Sequence, residues 1–297
     1  MINKADAIEV VPTGVAVGAE IKGVDLSLPA DDAVRAALNA AWADHSVLLF
    51  RGQKLSDEKL LEAARIFGEP QPVGFRLLRD ESEQTDVKFP ELIAVSNRDA
   101  GGTAEMDNAG LGDAEVEWHS DNSYIPEPPK ASVLYALEIP HTGGDTSFCN
   151  QYLAYETLPE GIRDHIADLR AKHDASRNSG GFLRPGFKLP ETPEDVPGPF
   201  HPLVRTHPVT KRKALYLGRR RDFPSQFIGG WSERDSTELL NFLWKHATQE
   251  QFVWTHRWAT GDLIIWDNRC VMHRRAATDP QYPRILHRTQ LKGEKPE

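Results

Sequence analysis

The stretch Gly261-Asp262-Leu263-Ile264-Ile265-Trp266-Asp267-Asn268 places large apolar residues between a glycine and a polar pair. A short apolar run bounded by turn residues is typical of a buried β-strand. Comparable runs dominate the chain after about residue 90, interrupted by helical segments at about 151–168 and 235–247. Many short strands with irregular connections favour a sandwich or jelly roll over a parallel sheet. The strand-like runs are 92–95, 131–139, 146–149, 203–206, 214–217, 252–258, 262–266 and 285–291.

The first 70 residues have a different pattern. Short strands with glycine turns are predicted within 8–27, an alanine-rich helix over 30–44, and a buried strand over 46–50. A second helix is predicted to begin after Ser56, because serine caps helix N-termini and acidic residues fill the first turn. This part of the chain is therefore predicted to be α+β.

Composition limits the classes of partner. The 297 residues carry a formal net charge of −9, which argues against nucleic-acid binding. No apolar run approaches the roughly 18 residues of a membrane span, and the opening residues lack the apolar core of a signal peptide. The two cysteines, Cys149 and Cys270, cannot form a disulfide framework and are interpreted as packing residues. We expect a soluble cytoplasmic protein without nucleic-acid or membrane partners.

Three residues suggest a metal centre. His119 and Asp121 stand at i and i+2, so on a strand both side chains would face the same side. His273 would then come from a neighbouring strand. Any one of the 11 histidines is more often structural than a ligand, and a lone His-x-Asp pair is weak. Two imidazoles and one carboxylate together are the ligand set of the 2-His-1-carboxylate non-haem Fe(II) oxygenases.

Six ordered motifs between Gly14 and Leu291 carry a resemblance to a known family. The motifs are Gly18-Ala19-Glu20-Ile21-Lys22-Gly23-Val24-Asp25-Leu26, Phe50-Arg51-Gly52-Gln53, Trp118-His119-Ser120-Asp121, Gly143-Gly144-Asp145-Thr146-Ser147-Phe148, Ala154-Tyr155-Glu156-Thr157-Leu158-Pro159 and the 261–268 stretch. The chain resembles the taurine dioxygenase and 2,4-dichlorophenoxyacetate dioxygenase (TauD/TfdA) family, whose members depend on Fe(II) and 2-oxoglutarate. The resemblance implies a mostly β fold with peripheral helices and a double-stranded β-helix (jelly roll) core. It also implies a single domain over 1–297, with 1–70 packed on the jelly roll.

The resemblance assigns roles to six residues. It makes His119, Asp121 and His273 the Fe(II) ligands, which leaves positions open for 2-oxoglutarate and O2. It gives the 2-oxoglutarate site to Thr146 and Arg284, and the planar guanidinium of an arginine suits the far carboxylate of that co-substrate. Arg288 is four residues from Arg284, so both should face one side of a strand. In the family the matching position is associated with an acidic group of the primary substrate or, less directly, with the metal-binding end of the co-substrate.

Several residues around these positions are ambiguous. Trp118 and Trp266 are interpreted as core, and His287 as a packing residue on the face opposite Arg288. Asp267 and Asn268 could orient a ligating histidine or form a tight turn.

The predicted reaction hydroxylates a C–H bond of a small anionic substrate and releases succinate and CO2. The chain looks closer to the phenoxyacetate branch than to the taurine branch, because it has Gly74-Phe75 and Glu115-Val116-Glu117 where the taurine branch places its amine-binding residues. The predicted substrate is an aryloxyalkanoate, cleaved to a phenol and glyoxylate. The alternative is a taurine or alkyl sulfonate dioxygenase that releases sulfite.

Other possibilities stay open. Four aromatic residues could form the wall of an aromatic substrate pocket or cover the core: Phe75, Tyr124, Phe182 and Phe187. Arg76 and Arg79 could assist in binding an anionic substrate or lie in solvent. Loops at 98–115 and 176–200 are long enough to be functional. A zinc hydrolase or a non-catalytic jelly-roll sensor are the remaining classes, and a symmetric homo-oligomer is the expected assembly.

Overall fold

The computed structural model describes residues 3–14, 16–72, 88–98, 114–178 and 181–297. Most of the 98–115 loop therefore lies outside the described residues, as do Gly74, Phe75, Arg76 and Arg79. The α-helices are α1 Asp32–His45, α2 Asp57–Ala64, α3 Gln151–Glu156, α4 Glu160–Ile166 and α5 Glu233–Ala247. The strands are β1 Glu9–Pro12, β2 Ala19–Lys22, β3 Val47–Phe50, β4 Pro70–Gln71, β5 Ile93–Ser96, β6 Val116–His119, β7 Ala131–Glu138, β8 Thr146–Asn150, β9 Arg170–Lys172, β10 Phe200–Pro202, β11 Val204–Thr206, β12 Lys213–Leu215, β13 Val253–His256, β14 Leu263–Asp267, β15 Val271–Arg275 and β16 Ile285–Leu291.

Two sheets form the centre of the fold. The larger has eight strands in the order β1-β2-β3-β14-β7-β16-β4, and β5 also pairs with β16. The smaller has four strands in the order β13-β8-β15-β6. Pairing is antiparallel in both sheets except between β2 and β3. The prediction of a mostly β fold with peripheral helices is confirmed.

Alternation along β14 shows how the larger sheet buries both faces. Leu263 and Ile265 belong to one buried apolar cluster, with residues of α1 and α2. Ile264 and Trp266 belong to another, which also holds Phe148 of the smaller sheet. Because successive side chains on a strand point to opposite faces, one face of the sheet carries the helices and the other meets the smaller sheet.

The smaller sheet is also covered on its outer side. Cys149 and Met272 lie in a third buried cluster with residues of α3, α4 and α5. Both cysteines are buried free thiols, as the packing interpretation predicts. Within the described ranges, no helix is long and apolar enough to cross a membrane.

The N-terminal elements follow their sequence signals. Ser56 Oγ accepts a hydrogen bond from the Lys59 backbone N–H at 3.3 Å, so it is the predicted N-cap of α2. The predicted helix over 30–44 is α1, with Val34 and Leu38 fully buried. The pairing of β2 and β3 joins this part to the larger sheet.

Five strands are absent from the strand-like runs predicted from the sequence: β4, β9 and β10, which have two or three residues, and the longer β6 and β15. These last two have only four or five residues, and the sequence of β15 mixes apolar residues with a histidine and two arginines. A strand is predicted from an apolar run or from alternating apolar and polar residues. Polar side chains that are buried for a functional reason interrupt that pattern. β6 and β15 carry the two histidines of the candidate metal site.

Candidate active site

Neighbouring strands bring the two histidines together. His119 is the last residue of β6 and lies directly opposite His273 of β15, with their ring centroids 4.2 Å apart. Asp121 is not on the strand, which ends at His119; it lies in the turn that follows. The prediction that a strand carries both His119 and Asp121 is therefore wrong, although the turn still points both side chains to one place.

The three side chains converge on one point. Asp121 Oδ1 lies 3.6 Å from His119 Nε2 and 3.9 Å from His273 Nε2. One ligand atom from each residue fits within a mutual distance of 4.8 Å. All three residues are buried. This spacing suits a single small ion contacted by all three side chains on one side.

Burial favours the neutral form of both imidazoles, and a hydrogen bond orients that of His119. The Nδ1 of His119 donates to the Glu117 carbonyl at 2.8 Å, which leaves the Nε2 lone pair directed at the centre. Burial lowers the pKa of His119, assisted by the nearby Arg219 charge. Burial also lowers the pKa of His273 well below its usual value. Neutral imidazoles are the form that a metal needs.

The carboxylate is held in its ionised form. Burial opposes ionisation, but the charge of Arg288 holds the pKa of Asp121 well below its usual value. The hydroxyl of Ser132 donates to Asp121 Oδ2 at 2.6 Å. The other carboxylate oxygen, Oδ1, is therefore the one that faces the histidines.

A buried amide network fixes Ser132 in turn. Its hydroxyl oxygen accepts from Asn268 Nδ2 at 3.0 Å and from Gln290 Nε2 at 3.2 Å. One of the two roles predicted for Asn268 is to orient a ligating histidine. Asn268 instead bonds to Ser132, which in turn orients the carboxylate of Asp121. Asp267 has the alternative role, because it receives both the backbone N–H and the guanidinium of Arg269 in the turn after β14.

A cavity adjoins the three side chains. It is lined by Val95, Val116, His119, Leu134, Thr146, Trp266, His273, Arg275, Arg284 and Arg288. The structure therefore brings all the predicted site residues except Asp121 onto one cavity wall, and Asp121 lies 3.6 Å from Arg288 Nη1. Trp266 is fully buried, as expected of a core residue, and its ring also forms part of this wall.

Thr146 is oriented by a residue that the sequence did not reveal. Trp258 Nε1 donates to Thr146 Oγ1 at 2.9 Å. Because this bond occupies one lone pair of the oxygen, the hydroxyl hydrogen remains available for a ligand in the cavity. Trp258 lies 112 residues along the chain from Thr146, so no local pattern could connect them.

Arg284 is a buried cation that stands just before β16. Its Nη2 donates to the Gly144 carbonyl at 3.1 Å, and its backbone N–H donates to Asn97 Oδ1 at 2.8 Å. Among the residues that the structure describes, its buried Nε has no hydrogen-bond partner. Burial and the nearby Arg275 lower the pKa of Arg284 to about 9. An anion in the cavity would offset the free-energy cost of burying the Arg284 charge. Arg284 is therefore suited to binding a carboxylate ligand.

Arg288 lies within β16, four residues after Arg284, and lines the same cavity. Its side chain is 15% exposed, so it can reach both the metal centre and a ligand that enters from solvent. His287 faces away and contacts Asp57 Oδ1 of α2 at 2.7 Å, which confirms its predicted packing role. Trp118 packs against the apolar cluster under the smaller sheet, with the Arg274 guanidinium 5.0 Å from its ring.

A second group of potential metal ligands has a structural explanation. Suitable atoms of His207, Asp267 and Cys270 lie within 4.8 Å of one another. Asp267 already forms an ion pair with Arg269 at 2.6 Å, and burial raises the pKa of the Cys270 thiol to about 12. A protonated thiol and a neutralised carboxylate make a poor metal site.

Comparison with known proteins decides the family. The family described as "Taurine catabolism dioxygenase TauD, TfdA family" matches residues 9–290. The chain belongs to the TauD/TfdA family. It is 32% identical to an (S)-phenoxypropionate/alpha-ketoglutarate-dioxygenase of Delftia acidovorans, over 96% of this chain and 95% of that protein. It is 36% identical to an alpha-ketoglutarate-dependent 2,4-dichlorophenoxyacetate dioxygenase of Cupriavidus pinatubonensis, over 82% of this chain and 84% of that protein.

A solved structure is similar to this TauD/TfdA family member over nearly the whole chain. The crystal structure of AAD-2 in complex with Mn(II) and N-oxalylglycine superposes with a TM-score of 0.80 at 30% identity. The superposition covers 97% of this chain and 98% of that one. The resemblance inferred from the motifs is therefore confirmed.

Proposed function

We propose that this chain is an Fe(II)- and 2-oxoglutarate-dependent dioxygenase that hydroxylates a C–H bond of a small anionic substrate. The observation that carries the proposal is one cavity lined by His119, His273 and the buried cation Arg284, with Asp121 converging on the two histidines. A ligand set and an anion-binding residue on one wall are what a chelating co-substrate needs. We further propose that residues 1–297 form a single domain, with 1–70 packed on a jelly-roll core formed by the two facing sheets.

The donor set fits Fe(II). Two neutral imidazoles and one ionised carboxylate, all buried, match the 2-His-1-carboxylate set, and His119 and Asp121 each have an orienting partner. The metal would supply the activation of O2. The protein's own residues hold the ligands in the required protonation states.

The co-substrate's far carboxylate is assigned to Arg284 and Thr146. The guanidinium supplies the charge, and the Thr146 hydroxyl supplies a further donor, because Trp258 already occupies one of its lone pairs. Arg288 is assigned to the acidic group of the primary substrate, because it lines the cavity, lies 3.6 Å from Asp121 Oδ1 and is 15% exposed. Apolar walls such as Leu134 and Val95 restrict water near the reacting carbon.

The favoured substrate is an aryloxyalkanoate such as a phenoxyacetate. Both named relatives act on phenoxyalkanoates. In the overall reaction one oxygen atom of O2 enters succinate and the other forms the new hydroxyl, while 2-oxoglutarate loses CO2. For a phenoxyacetate the hydroxylated carbon bears the ether oxygen, so the hemiacetal collapses to a phenol and glyoxylate. A taurine or alkyl sulfonate dioxygenase is the alternative, since Arg288 would also bind a sulfonate.

The test compares product formation with two substrate classes. With Fe(II) and 2-oxoglutarate, we expect succinate in equal amount to phenol from phenoxyacetates. Sulfite from an alkyl sulfonate, with no phenol from phenoxyacetates, would reject the aryloxyalkanoate assignment and keep the oxygenase. Activity with Zn(II) but not Fe(II) would reject the oxygenase in favour of a hydrolase. No loss of function in His119→Ala would favour a sensor.

Cytoplasmic location and a homo-oligomer remain predictions of the sequence.

A further inference from the structure

A second pocket shares His119 with the cofactor cavity. We call it the arginine pocket and define it by its lining residues: His119, Ser120, Asn122, Ser123, Tyr124, His173, Asp174, Arg177, Asn178, Arg184, Arg219 and Arg221. Four arginines and a single carboxylate line it. In the proposed reaction Arg284 binds the far carboxylate of 2-oxoglutarate, and Arg288 binds the acidic group of the primary substrate. The four arginines of this pocket have no role in that reaction.

Three of the four arginines, Arg177, Arg184 and Arg221, form no direct ion pair with an acid among the described residues. Within the described ranges, no carboxylate oxygen lies within 4.0 Å of a guanidinium nitrogen of Arg177, Arg184 or Arg221. The one lining carboxylate, Asp174, accepts from the Ser176 backbone N–H and hydroxyl, both at 2.7 Å. Grouped cations without acidic partners are costly unless an anion joins them.

Other contacts hold these guanidinium groups in place. The guanidinium of Arg184 stacks on the Tyr124 ring, 4.3 Å from its centroid, and its Nε donates to the Arg177 carbonyl at 3.3 Å. Arg221 Nη2 donates to the Asn178 carbonyl at 3.1 Å. Arg184 is 9% exposed, so its charge is held inside the protein. A site is therefore built before any ligand arrives.

A buried histidine adds an unused polar group. His173 is 4% exposed, and neither ring nitrogen has a hydrogen-bond partner among the described residues. Its ring stacks on Tyr216, and a Cβ at Gly218 would lie 2.2 Å from His173 Nδ1, so the ring position is fixed by close packing. Buried polar atoms without partners are rare unless a ligand or water completes them. His173 is thus a second, independent sign of a ligand.

The arginine pocket borders the reaction centre. Its Tyr124 lies close enough to Asp121 and Arg288 for their charges to affect the pKa of its hydroxyl, which burial raises. His119 lines both cavities, and it forms a β-bridge with Arg219 of the arginine pocket. A ligand in this pocket would therefore lie beside the primary substrate.

We propose that the arginine pocket binds an oxyanion, and that this oxyanion is a second acidic group on the substrate that Arg288 holds. The inference rests on the proposed function for the role of Arg288. A carboxylate, sulfate or phosphate group suits the planar donors of Arg177, Arg184 and Arg221. The substrate class then narrows to small molecules with two anionic groups, one next to the oxidised carbon and one further away.

The first experiment tests the oxyanion without metal or catalysis. Sulfate is titrated into the metal-free protein by calorimetry at constant ionic strength. We expect Arg184→Gln and the more exposed Arg221→Gln each to weaken binding by about tenfold or more, because each loses charge-assisted hydrogen bonds. The control Arg234→Gln removes one charge from the exposed face of α5 and should bind like the unmodified chain. Equal affinity in all four proteins, with melting curves showing that they are folded, overturns the anion site.

The second experiment identifies the source of the oxyanion. Phenoxyacetate and its 2-, 3- and 4-carboxy derivatives are titrated into protein loaded with Mn(II) and N-oxalylglycine. We expect at least one isomer to bind about tenfold or more tightly than phenoxyacetate, and Arg184→Gln to remove that advantage. Sulfate binding that depends on Arg184, without any advantage for a dicarboxylate, would mean a free inorganic anion and overturn the substrate class. Turnover is measured separately, so a failure of the dioxygenase proposal leaves both binding results decisive.

Discussion

Ser132 and Asp121 form a buried hydrogen bond of 2.6 Å, in which the Ser132 hydroxyl donates to Asp121 Oδ2. The bond leaves only Oδ1 facing His119 and His273. It therefore favours a carboxylate that binds a metal through one oxygen, which keeps more coordination positions open for other ligands. Asn268 and Gln290 both donate hydrogen bonds to the Ser132 hydroxyl oxygen. The orientation of the Asp121 carboxylate therefore depends on residues from three strands or turns.

Replacing Ser132 by alanine should weaken metal binding by about 10–100-fold, the usual effect of losing an orienting partner. The change is checked by titrating Fe(II) or Mn(II) into the anaerobic protein. The matched control is Ser236→Ala, which removes a fully buried hydroxyl that accepts from Ile228 N–H far from the ligands. We expect the control to lower stability by about 1–3 kcal/mol and to keep the metal affinity. Equal metal affinities in the two variants would contradict the orienting role.

Trp258→Phe should raise the KM for 2-oxoglutarate by roughly 2–10-fold, the range expected for one neutral hydrogen bond. The substitution keeps an aromatic ring and removes the donor to Thr146 Oγ1, so the Thr146 hydroxyl can turn away from the cavity. Steady-state kinetics with varied 2-oxoglutarate measure the effect. Trp254→Phe is the control, because that side chain stacks on Phe148 and makes no bond to Thr146. A similar KM change in both variants would show a general packing effect.

Arg284 and Arg288 should separate the two substrates kinetically. Arg284→Gln is expected to raise the KM for 2-oxoglutarate by about tenfold or more, since a charge-assisted pair is lost. Arg288→Gln should raise the KM for the primary substrate by a similar factor, because its partly exposed guanidinium lines the cavity beside Asp121. Both constants are measured for both variants. If the two variants change the same constant, one of the two assignments is wrong.

Stability should fall in mild acid because of two buried histidines. Burial lowers the pKa of His201 to about 4 and that of His173 well below its usual value. In the unfolded chain both have a pKa near 6.5, roughly the free imidazole value. Between about pH 6.5 and pH 4 the unfolded chain binds protons that the folded chain does not, so the free energy of unfolding decreases as the pH falls. Each histidine contributes about 1.4 kcal/mol per pH unit in that range.

Urea unfolding at several pH values checks this expectation. His201→Asn should reduce the slope by about 1 kcal/mol per pH unit. The exposed His141 serves as a control, and His141→Asn should leave the slope unchanged. An unchanged slope in His201→Asn would mean that other groups dominate the acid response.

The sequence predicted the chemistry of the site better than its geometry. The triad, Thr146 and Arg284 could be named because their residue types and order resemble a family, and the apolar runs of β7, β14 and β16 identify the larger sheet. The position of Asp121 in a turn could not be read, because an i, i+2 pair has the same spacing on a strand and in a turn.

Contacts between distant residues were also beyond sequence reasoning. Ser132 and Trp258 have no local signal, since their partners lie 11 and 112 residues away. The run Arg219-Arg220-Arg221 was visible, but three adjacent arginines usually indicate a solvated surface. Only the fold shows that Arg219 and Arg221 join Arg177 and Arg184 around one pocket, whereas Arg220 bonds to Asn241 of α5.

Gly144 offers a test of how closely the backbone approaches the co-substrate arginine. Its φ is +70°, and a Cβ added there would lie 2.6 Å from Arg284 Nε. Gly144→Ala should therefore move the guanidinium and raise the KM for 2-oxoglutarate by about tenfold, the cost of a misplaced charged contact. Gly230→Ala is the matched control, because its φ of +78° imposes the same backbone strain, roughly 1–2 kcal/mol, with nothing within 4 Å of the new methyl group. The two variants should lose similar stability in urea unfolding, while only Gly144→Ala changes the co-substrate KM. An unchanged KM in Gly144→Ala would show that Arg284 can shift without cost, and that its fixed position does not determine co-substrate affinity.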